Sequence, residues 1–138
     1  YAVRCGGGAN HRIGLYDGIL IKENHIIASG SIAQTLHKAR TIAPTEIMIE
    51  IEVETLDELR QALHAGATMI LLDNFELEML RNAVILNQQY TQPAILEASG
   101  NITLTNVRSI AETGIDRISI GSLTKNIKAI DLSMRFLH

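Results

Sequence analysis

The chain has 138 residues, a formal net charge of −3 and a single cysteine, Cys5. A slightly acidic chain without a basic run is not typical of a nucleic-acid-binding protein, and one cysteine cannot form an internal disulfide. We therefore expect small-molecule partners, no nucleic acid and a reducing, cytoplasmic location. No apolar run approaches the roughly 20 residues that a membrane-spanning helix needs, so no membrane association is expected.

The length of the chain limits the number of domains. No linker or low-complexity segment interrupts the sequence, so we predict one domain over residues 1–138. A complete barrel of eight strand–helix units takes roughly 250 residues, which this chain does not have. Since the chain also begins at Tyr1 without an initiator Met, we interpret it as part of a longer protein.

Polar and glycine residues are concentrated near the start of the chain, over residues 5–25. Gly6, Gly7 and Gly8 give a backbone that can approach a ligand closely. Arg12 and Lys22 add positive charge suited to carboxylate or phosphate. We interpret this stretch as an anion-binding surface, with an ordinary solvated loop as the alternative. Within it, Cys5 is expected to be a small buried loop residue rather than a nucleophile.

The elements predicted along the chain alternate between apolar β-rich runs and helical patterns. Residues 1–4 read as the end of a strand; further strands are predicted at 19–22, 46–53, 68–72, 94–97 and 117–120, helices at 32–42, 55–66, 75–90 and 105–113, and a last short strand at 130–136. Such alternation is typical of stacked βα units around a parallel sheet. The sequence therefore predicts the α/β class.

A polar or glycine residue closes each of the main strands. These residues are Lys22, Glu52, Asp73, Ser99 and Gly121. They recur at intervals of roughly 20 to 30 residues, close to the length of about 31 residues for one barrel unit. Because the carboxyl ends of parallel strands face one opening, we expect these residues to lie together there. A structural pairing of Glu52 with a lysine is the alternative to a ligand-binding role.

Several short segments then carry a resemblance to a known family. They are YAVRCGGGANHRIGLYDGILIKENH, IEVE, ILLDN, EASGNI and GIDRISIGSLT. In this order and at these spacings the chain resembles, over essentially its whole length, the quinolinate phosphoribosyltransferases, also called carboxylating nicotinate-nucleotide pyrophosphorylases. The resemblance implies the C-terminal part of an incomplete, seven-stranded parallel (β/α) barrel. The first barrel strand, an N-terminal domain and an arginine from a neighbouring subunit would lie outside this chain, in a homodimer or larger homo-oligomer.

The resemblance also implies a reaction and its residues. Phosphoribosyl pyrophosphate (PRPP) donates its phosphoribosyl group to quinolinate, and loss of carbon dioxide gives nicotinate mononucleotide for NAD biosynthesis. His11, Arg12 and Lys22 would contact quinolinate, while Lys22, Glu52 and Asp73 would be catalytic, with Glu52 and Asp73 also close to Mg²⁺ bound with PRPP. The phosphate would be held by two loops, which consist of Ser99, Gly100 and Asn101 and of Ser119, Ile120 and Gly121.

One departure from the family pattern and two alternative functions remain open. Where family members often have LTHS, this chain has LTKN, with Lys125 in the place of the histidine. A related paralogue linked to molybdenum transport would keep the phosphate loops but relax the dicarboxylate site. A non-catalytic barrel piece would bind no ligand. Taken alone, the chain is expected to be inactive or nearly so.

Overall fold

The computed structural model describes residues 1–137, which form one five-stranded parallel sheet with helices between the strands. The strands are β1 (Gly18–Ile21), β2 (Met48–Val53), β3 (Met69–Asp73), β4 (Ile95–Ser99) and β5 (Arg117–Ile118). The helices are α1 (Ala2–Cys5), α2 (Glu23–Ser29), α3 (Ile32–Ile42), α4 (Leu56–His64), α5 (Leu77–Asn87), α6 (Val107–Ala111) and α7 (Ser122–Lys125).

The strands follow one another in the sheet in the order in which they occur in the chain, β1-β2-β3-β4-β5. Every pairing is parallel, from Gly18 opposite Met48 to Ala98 opposite Ile118. Consecutive parallel neighbours joined by helices are the arrangement found in an α/β barrel. The predicted architecture is therefore confirmed as part of such a barrel, with β1 and β5 at the two edges of the sheet within the described residues.

Alternate residues of the strands bury against the helices and form the main core. On β2, Ile51 and Val53 are 0% and 1% exposed, and the same cluster includes Leu36 of α3 and Leu59 of α4. Burying one such side chain contributes about 1.5–3 kcal/mol of transfer free energy. We call the face of the sheet that packs against the helices the helix-side face, and the opposite face the inner face. Residues 48, 50 and 52 of β2 belong to the inner face.

Helix boundaries follow the capping residues in the sequence. The Ser31 side chain accepts the Gln34 N–H at the start of α3, and Thr55 and Glu58 form a reciprocal capping box at the start of α4. Gly66 follows α4 with φ of +72°, the left-handed conformation that favours glycine. No helix in the described part of the chain is long and apolar enough to cross a membrane.

Three local predictions near the ends of the chain are wrong. Residues 2–5 form the short helix α1 rather than a strand, because the Tyr1 carbonyl accepts the N–H of Cys5 and the Ala2 carbonyl accepts that of Gly6, both at 3.0 Å. Cys5 is exposed rather than buried, since α1 buries none of its residues. Strand β5 covers only Arg117–Ile118 of the longer predicted run.

The predicted last strand at 130–136 is also absent from the described structure. Its apolar residues are almost fully exposed, from 81% for Ile130 to 85% for Phe136. A strand needs a neighbouring strand to satisfy its backbone N–H and C=O groups. In the part of the chain that the structure describes, the sheet ends at β5, and residues 130–136 pair with no strand. The alternating pattern alone does not create a strand.

Candidate active site at the carboxyl edge of the sheet

The residues predicted to close the strands lie at the carboxyl edge of the sheet. Lys22 directly follows β1, Glu52 is the next-to-last residue of β2, and Asp73 and Ser99 end β3 and β4. Asp73 and Ser99 are opposite each other in the register of these two strands. Parallel pairing therefore brings the ends of distant sequence segments to one edge, as the spacing of these residues predicts.

Lys22 and Glu52 form an ion pair at this edge. The Lys22 Nζ lies 2.6 Å from Glu52 Oε2, with the two side chains 46% and 11% exposed. The structural pairing of Glu52 with a lysine, left open by the sequence, is therefore present, and that lysine, Lys22, is itself one of the three predicted catalytic residues. Because Lys22 contacts only one oxygen of Glu52 and is half exposed, its ammonium group remains accessible to an anion from solvent.

Asp73 is connected to the first predicted phosphate loop through Asn74. The Asn74 Nδ2 donates to Asp73 Oδ2 at 2.7 Å, and Asn101 Nδ2 donates to Asn74 Oδ1 at 3.2 Å. Asn74 and Asn101 have φ of +55° and +50°, values that are uncommon outside glycine. Sequence reasoning treated Asn74 only as the end of a strand. The structure shows that it links an acidic group to a loop from a different strand.

Gly100 fits into this network because it has no side chain. Its φ is +94°, and a Cβ there would collide with the Asn74 side-chain amide, with Asn74 Cγ 2.7 Å away. By contrast, Gly121 of the second predicted phosphate loop is exposed, and a Cβ there would meet no atom within 4 Å. The two loops therefore use glycine for different reasons, the first for close packing against β3 and the second for an open backbone.

A second polar cluster, which sequence reasoning missed, lies on the inner face below the edge. Glu50 of β2 and Glu97 of β4 are 0% and 4% exposed. The His11 Nε2 lies 3.1 Å from Glu50 Oε2 and 3.7 Å from Glu97 Oε1, and the Ser119 hydroxyl donates to the same oxygen of Glu97. The alternation along β2, which places Glu50 on the face of Glu52, was the available signal.

Glu50 is electrostatically strained in this cluster. Burial raises the pKa of its carboxyl group above the ordinary value of 4.5, and the nearby charge of Glu97 raises it further, while His11 and Arg117 act in the opposite direction. Despite the short contact with His11, neither oxygen of Glu50 has a hydrogen-bond partner of acceptable geometry within residues 1–137. Buried carboxylates without such partners are costly, so this arrangement is not explained by stability.

The segment that carries His11 is held at two further points. The Arg12 Nη1 donates to the Gly18 carbonyl of β1 at 3.1 Å. Downstream, the Asp17 carboxylate accepts the N–H groups of Ile13 and Gly14, both at 2.9 Å, and these bonds lower the pKa of Asp17. The bond to Gly18 places the Arg12 guanidinium beside the first strand of the sheet, and the predicted quinolinate contact by Arg12 stays a prediction.

Two sets of carboxylates have the chemistry to hold a metal ion. Glu52 and Asp73, the predicted Mg²⁺ ligands, lie at the carboxyl edge, and Mg²⁺ in phosphate-transfer sites typically takes one or two carboxylates plus phosphate oxygens. The donor set therefore fits Mg²⁺ bound with a phosphorylated substrate. The second set consists of His11, Glu50 and Glu97, whose donor atoms lie within 4.8 Å of one another. It is the group of three potential metal ligands found among the described residues.

The cavities of the chain do not coincide with the whole candidate site. A cavity of about 40 Å³ lies beside Glu52 and is also lined by Glu23, Ile26, Glu54 and Glu58. A larger cavity of about 290 Å³ lies at the opposite end of the strands, among residues such as Met48, Met69 and Arg117. We assign the site from the charged residues rather than from this larger cavity, because ligands of parallel α/β folds bind at the carboxyl ends of the strands.

The fold and the site define a parallel α/β-barrel domain with charged residues concentrated at the carboxyl ends of its strands. Comparison with known proteins agrees, since the family described as "Quinolinate phosphoribosyl transferase, C-terminal domain" matches residues 1–135. The chain therefore belongs to the quinolinate phosphoribosyltransferase family and corresponds to its C-terminal domain, which confirms the resemblance inferred from the sequence.

Individual relatives support the same assignment. The chain is 47% identical over 134 residues to the "Probable nicotinate-nucleotide pyrophosphorylase (carboxylating)" of Bacillus subtilis, covering 97% of this chain and 45% of that protein. It is 39% identical to the human nicotinate-nucleotide pyrophosphorylase (carboxylating), covering 98% of this chain and 46% of the relative. The solved nicotinate-nucleotide pyrophosphorylase of Francisella tularensis superposes with a TM-score of 0.90 at 51% identity, covering 96% and 46% of the two chains. The chain thus spans about half the length of the relatives it matches.

Proposed function

We propose that the full-length protein containing this chain transfers the phosphoribosyl group of PRPP to quinolinate. The products are nicotinate mononucleotide, pyrophosphate and carbon dioxide. The observation that carries this proposal is that Lys22, Glu52, Asp73 and Ser99, four of the residues assigned by the family resemblance, lie at the carboxyl ends of consecutive strands of one sheet. The names of the relatives support the same activity.

The chemistry of quinolinate matches the basic residues just before and just after β1. Quinolinate carries two carboxylates, and its ring nitrogen attacks C1 of the ribose. We assign His11 and Arg12 to the carboxylates, since an arginine can form two parallel hydrogen bonds with one carboxylate. Lys22 lies at the edge with an accessible ammonium group. We assign it to a substrate carboxylate and to the charge that develops on pyrophosphate as the bond to C1 breaks.

The acidic residues suit the ribose and the metal. We assign Glu52 and Asp73 to the ribose hydroxyls and to Mg²⁺, which would neutralise charge on the pyrophosphate of PRPP. Nearby carboxylates also favour positive charge at the ribosyl carbon, by analogy with glycoside hydrolysis. The bonds from Lys22 to Glu52 and from Asn74 to Asp73 hold both carboxylates at the edge.

The 5-phosphate is assigned to the two glycine-containing loops. Barrel enzymes frequently bind phosphate in the loops after their last strands, through backbone N–H groups and hydroxyls. The residues proposed to hold the phosphate are Ser99, Gly100, Asn101, Ser119, Ile120 and Gly121. Asn74 supports this assignment, because its contacts with Asn101 and Gly100 fix the first loop next to Asp73.

Two further properties of the full-length protein remain proposals. We propose a homodimer or larger homo-oligomer, because the family resemblance implies a site completed by an arginine from a neighbouring subunit. We also propose a cytoplasmic location, which the single cysteine supports. The paralogue linked to molybdenum transport and the non-catalytic barrel piece are not favoured by the pyrophosphorylase names of the relatives.

An assay of the full-length protein tests this function. Quinolinate, PRPP and Mg²⁺ are supplied, and nicotinate mononucleotide is measured for the parent and for Lys22→Ala and Asp73→Ala. We expect turnover by the parent and a loss of about 100- to 1000-fold in kcat for each variant, the scale for removing one group that stabilises developing charge. The exposed Lys38 of α3 provides the control Lys38→Ala, which should leave kcat unchanged.

The outcomes separate the three hypotheses. Unchanged rates in both variants would contradict the catalytic assignment. Turnover with another acceptor and none with quinolinate would favour the paralogue, and absence of ligand binding by the full-length protein would favour the non-catalytic role. Omission of Mg²⁺ followed by addition of a chelator should remove activity if Glu52 and Asp73 act with that ion.

A further inference from the structure

The inner face of the sheet places two buried acids against a residue of the proposed quinolinate site. We propose that Glu50 and Glu97 are positioning residues, which hold the His11 ring so that it can bind a quinolinate carboxylate. This inference rests on the proposed function, since it concerns how one substrate is recognised. Neither acid is assigned to a ligand by the family resemblance described above.

The contact geometry connects the acids to His11 at a single ring nitrogen. Nε2 of His11 lies 3.1 Å from Glu50 Oε2 and 3.7 Å from Glu97 Oε1. The other ring nitrogen, Nδ1, has no hydrogen-bond partner within residues 1–137. Its hydrogen-bonding capacity is therefore available to a ligand, whereas Nε2 is the ring nitrogen that lies close to the acids. An imidazole that donates from both nitrogens carries a positive charge, which suits a dicarboxylate.

The burial of the two acids explains why this contact would orient His11. Glu50 and Glu97 are 0% and 4% exposed, whereas the His11 side chain is 35% exposed. The acids project from β2 and β4, and the Ser119 hydroxyl gives Glu97 a further partner. A partly exposed ring is therefore held by groups on the rigid sheet, as ligating histidines are oriented by carboxylates in other sites.

The energetic cost of the acids also argues for a role in binding. Two buried carboxylates in one cluster repel each other, and Glu50 has no hydrogen bond of acceptable geometry within the described chain. Removal of both acids would leave His11 on an exposed segment, held in place mainly by the bond of its neighbour Arg12 to Gly18.

Steady-state kinetics of the full-length protein provide the test. Glu50→Gln and Glu97→Gln keep the size of each side chain and remove its charge. We expect each to raise KM for quinolinate about tenfold, the scale for residues that orient a binding histidine. KM for PRPP should stay unchanged in Glu50→Gln, whereas Glu97→Gln also alters the partner of Ser119, a residue assigned to the phosphate. Glu46→Gln changes an exposed acid just before β2, at the end of that strand away from the candidate site, and is the matched control, for which both KM values should stay within about twofold.

A double-mutant comparison distinguishes positioning from a general structural effect. If Glu50 acts through His11, Glu50→Gln should add less than about twofold to KM for quinolinate in a His11→Ala background. Persistence of the tenfold effect without His11, or equal increases in KM for both substrates, would overturn the inference. If Glu50→Gln does not fold, as judged by its thermal transition, Glu97→Gln in the same two backgrounds gives the answer.

Two further measurements separate the positioning role from failure of the proposed function and from metal binding by the cluster. Binding of quinolinate to the full-length protein can be measured by calorimetry without turnover. If the parent has no activity but binds quinolinate about tenfold more tightly than Glu50→Gln does, the proposed function is contradicted and the positioning role is supported. Binding of Mn²⁺ in the absence of PRPP, lost in Glu97→Gln and retained in Glu46→Gln, would show that the cluster holds a cation and would overturn the positioning role.

Discussion

The two faces of the sheet bury very different residues, although they are formed by alternate positions of the same strands. On the helix-side face, Ile51, Ile70 and Leu72 are each 0% exposed and belong to one apolar core. On the inner face, Glu50 and Glu97 are almost equally buried. Depth of burial therefore does not distinguish the faces, and the chemistry of the buried groups does.

The comparison shows how the sheet separates stability from function. Apolar residues on the helix-side face gain free energy from leaving water, whereas buried carboxylates lose it. Because neighbouring residues of a strand point to opposite faces, one short segment such as β2 contributes to both. We therefore expect substitutions on the helix-side face to destabilise the fold and some on the inner face to stabilise it while impairing binding.

The largest effect is expected on the helix-side face, at Leu72. Leu72→Ala should lower the free energy of unfolding by about 2–5 kcal/mol, because it removes buried methyl groups and leaves a cavity. Chemical denaturation of the full-length protein measures this change. Leu104 is 93% exposed, and Leu104→Ala should change the free energy by less than about 0.5 kcal/mol. Equal losses for the two variants would contradict the assignment of the core.

An intermediate effect is expected at the edge where the two faces meet the candidate site. Gly100→Ala should cost about 1–3 kcal/mol, because the residue has positive φ and its new Cβ would collide with Asn74. It should also raise KM for PRPP. Gly121→Ala adds a Cβ in open space and should leave stability unchanged while raising KM for PRPP. A stable Gly100→Ala variant would show that the Asn74 contact is not tight.

The smallest effect, and the one of opposite sign, is expected on the inner face. Glu50→Met should raise the free energy of unfolding by about 1 kcal/mol at neutral pH, because an apolar side chain of similar size replaces a buried charge that lacks hydrogen bonds. Denaturation curves of the parent and the variant measure the difference. A loss of several kcal/mol instead would mean that the contact of Glu50 with His11 stabilises the fold.

The pH dependence of that difference has a defined sign. The pKa of Glu50 is raised by burial and by Glu97, so the folded protein retains a proton that the unfolded chain releases near pH 4.5. The parent should therefore lose stability as the pH rises above about 4.5, with His11 and Arg117 reducing the loss. The amount by which the free energy of unfolding of Glu50→Met exceeds that of the parent should be smallest below that pH and should increase above it.

The sequence predicted the features that depend on local patterns. The apolar runs separated by helical patterns predicted the five parallel strands. Thr55 marked the start of α4, and of the two candidate capping residues for α3, Ser29 and Ser31, the structure uses Ser31. Prediction failed where pattern and context disagree. Residues 130–136 alternate like a strand but have no neighbouring strand in the described chain, and residues 2–5, expected to continue a strand, form a helical turn.

Part of the candidate site was also predictable, because strand-end residues are recognisable in sequence. Lys22, Glu52, Asp73 and Ser99 lie where the spacing predicted, at one edge of the sheet. Asn74 was missed, since its role depends on a contact with Asn101 of the next strand–loop unit. Glu50 and Glu97 were not assigned to the site, although Glu50 alternates with Glu52 on β2, because their shared contact with His11 depends on how the segment before β1 lies across the sheet.

The sequence by itself therefore determined the class of fold, the family and the edge at which the charged residues gather, since these follow from the order and periodicity of residues along the chain. Only the tertiary structure determined which of these residues meet. The contacts of Lys22 with Glu52, of Asn74 with Asn101 and of His11 with Glu50 join segments that lie far apart in sequence. Such contacts depend on strand register and on the curvature of the sheet, which no local pattern specifies.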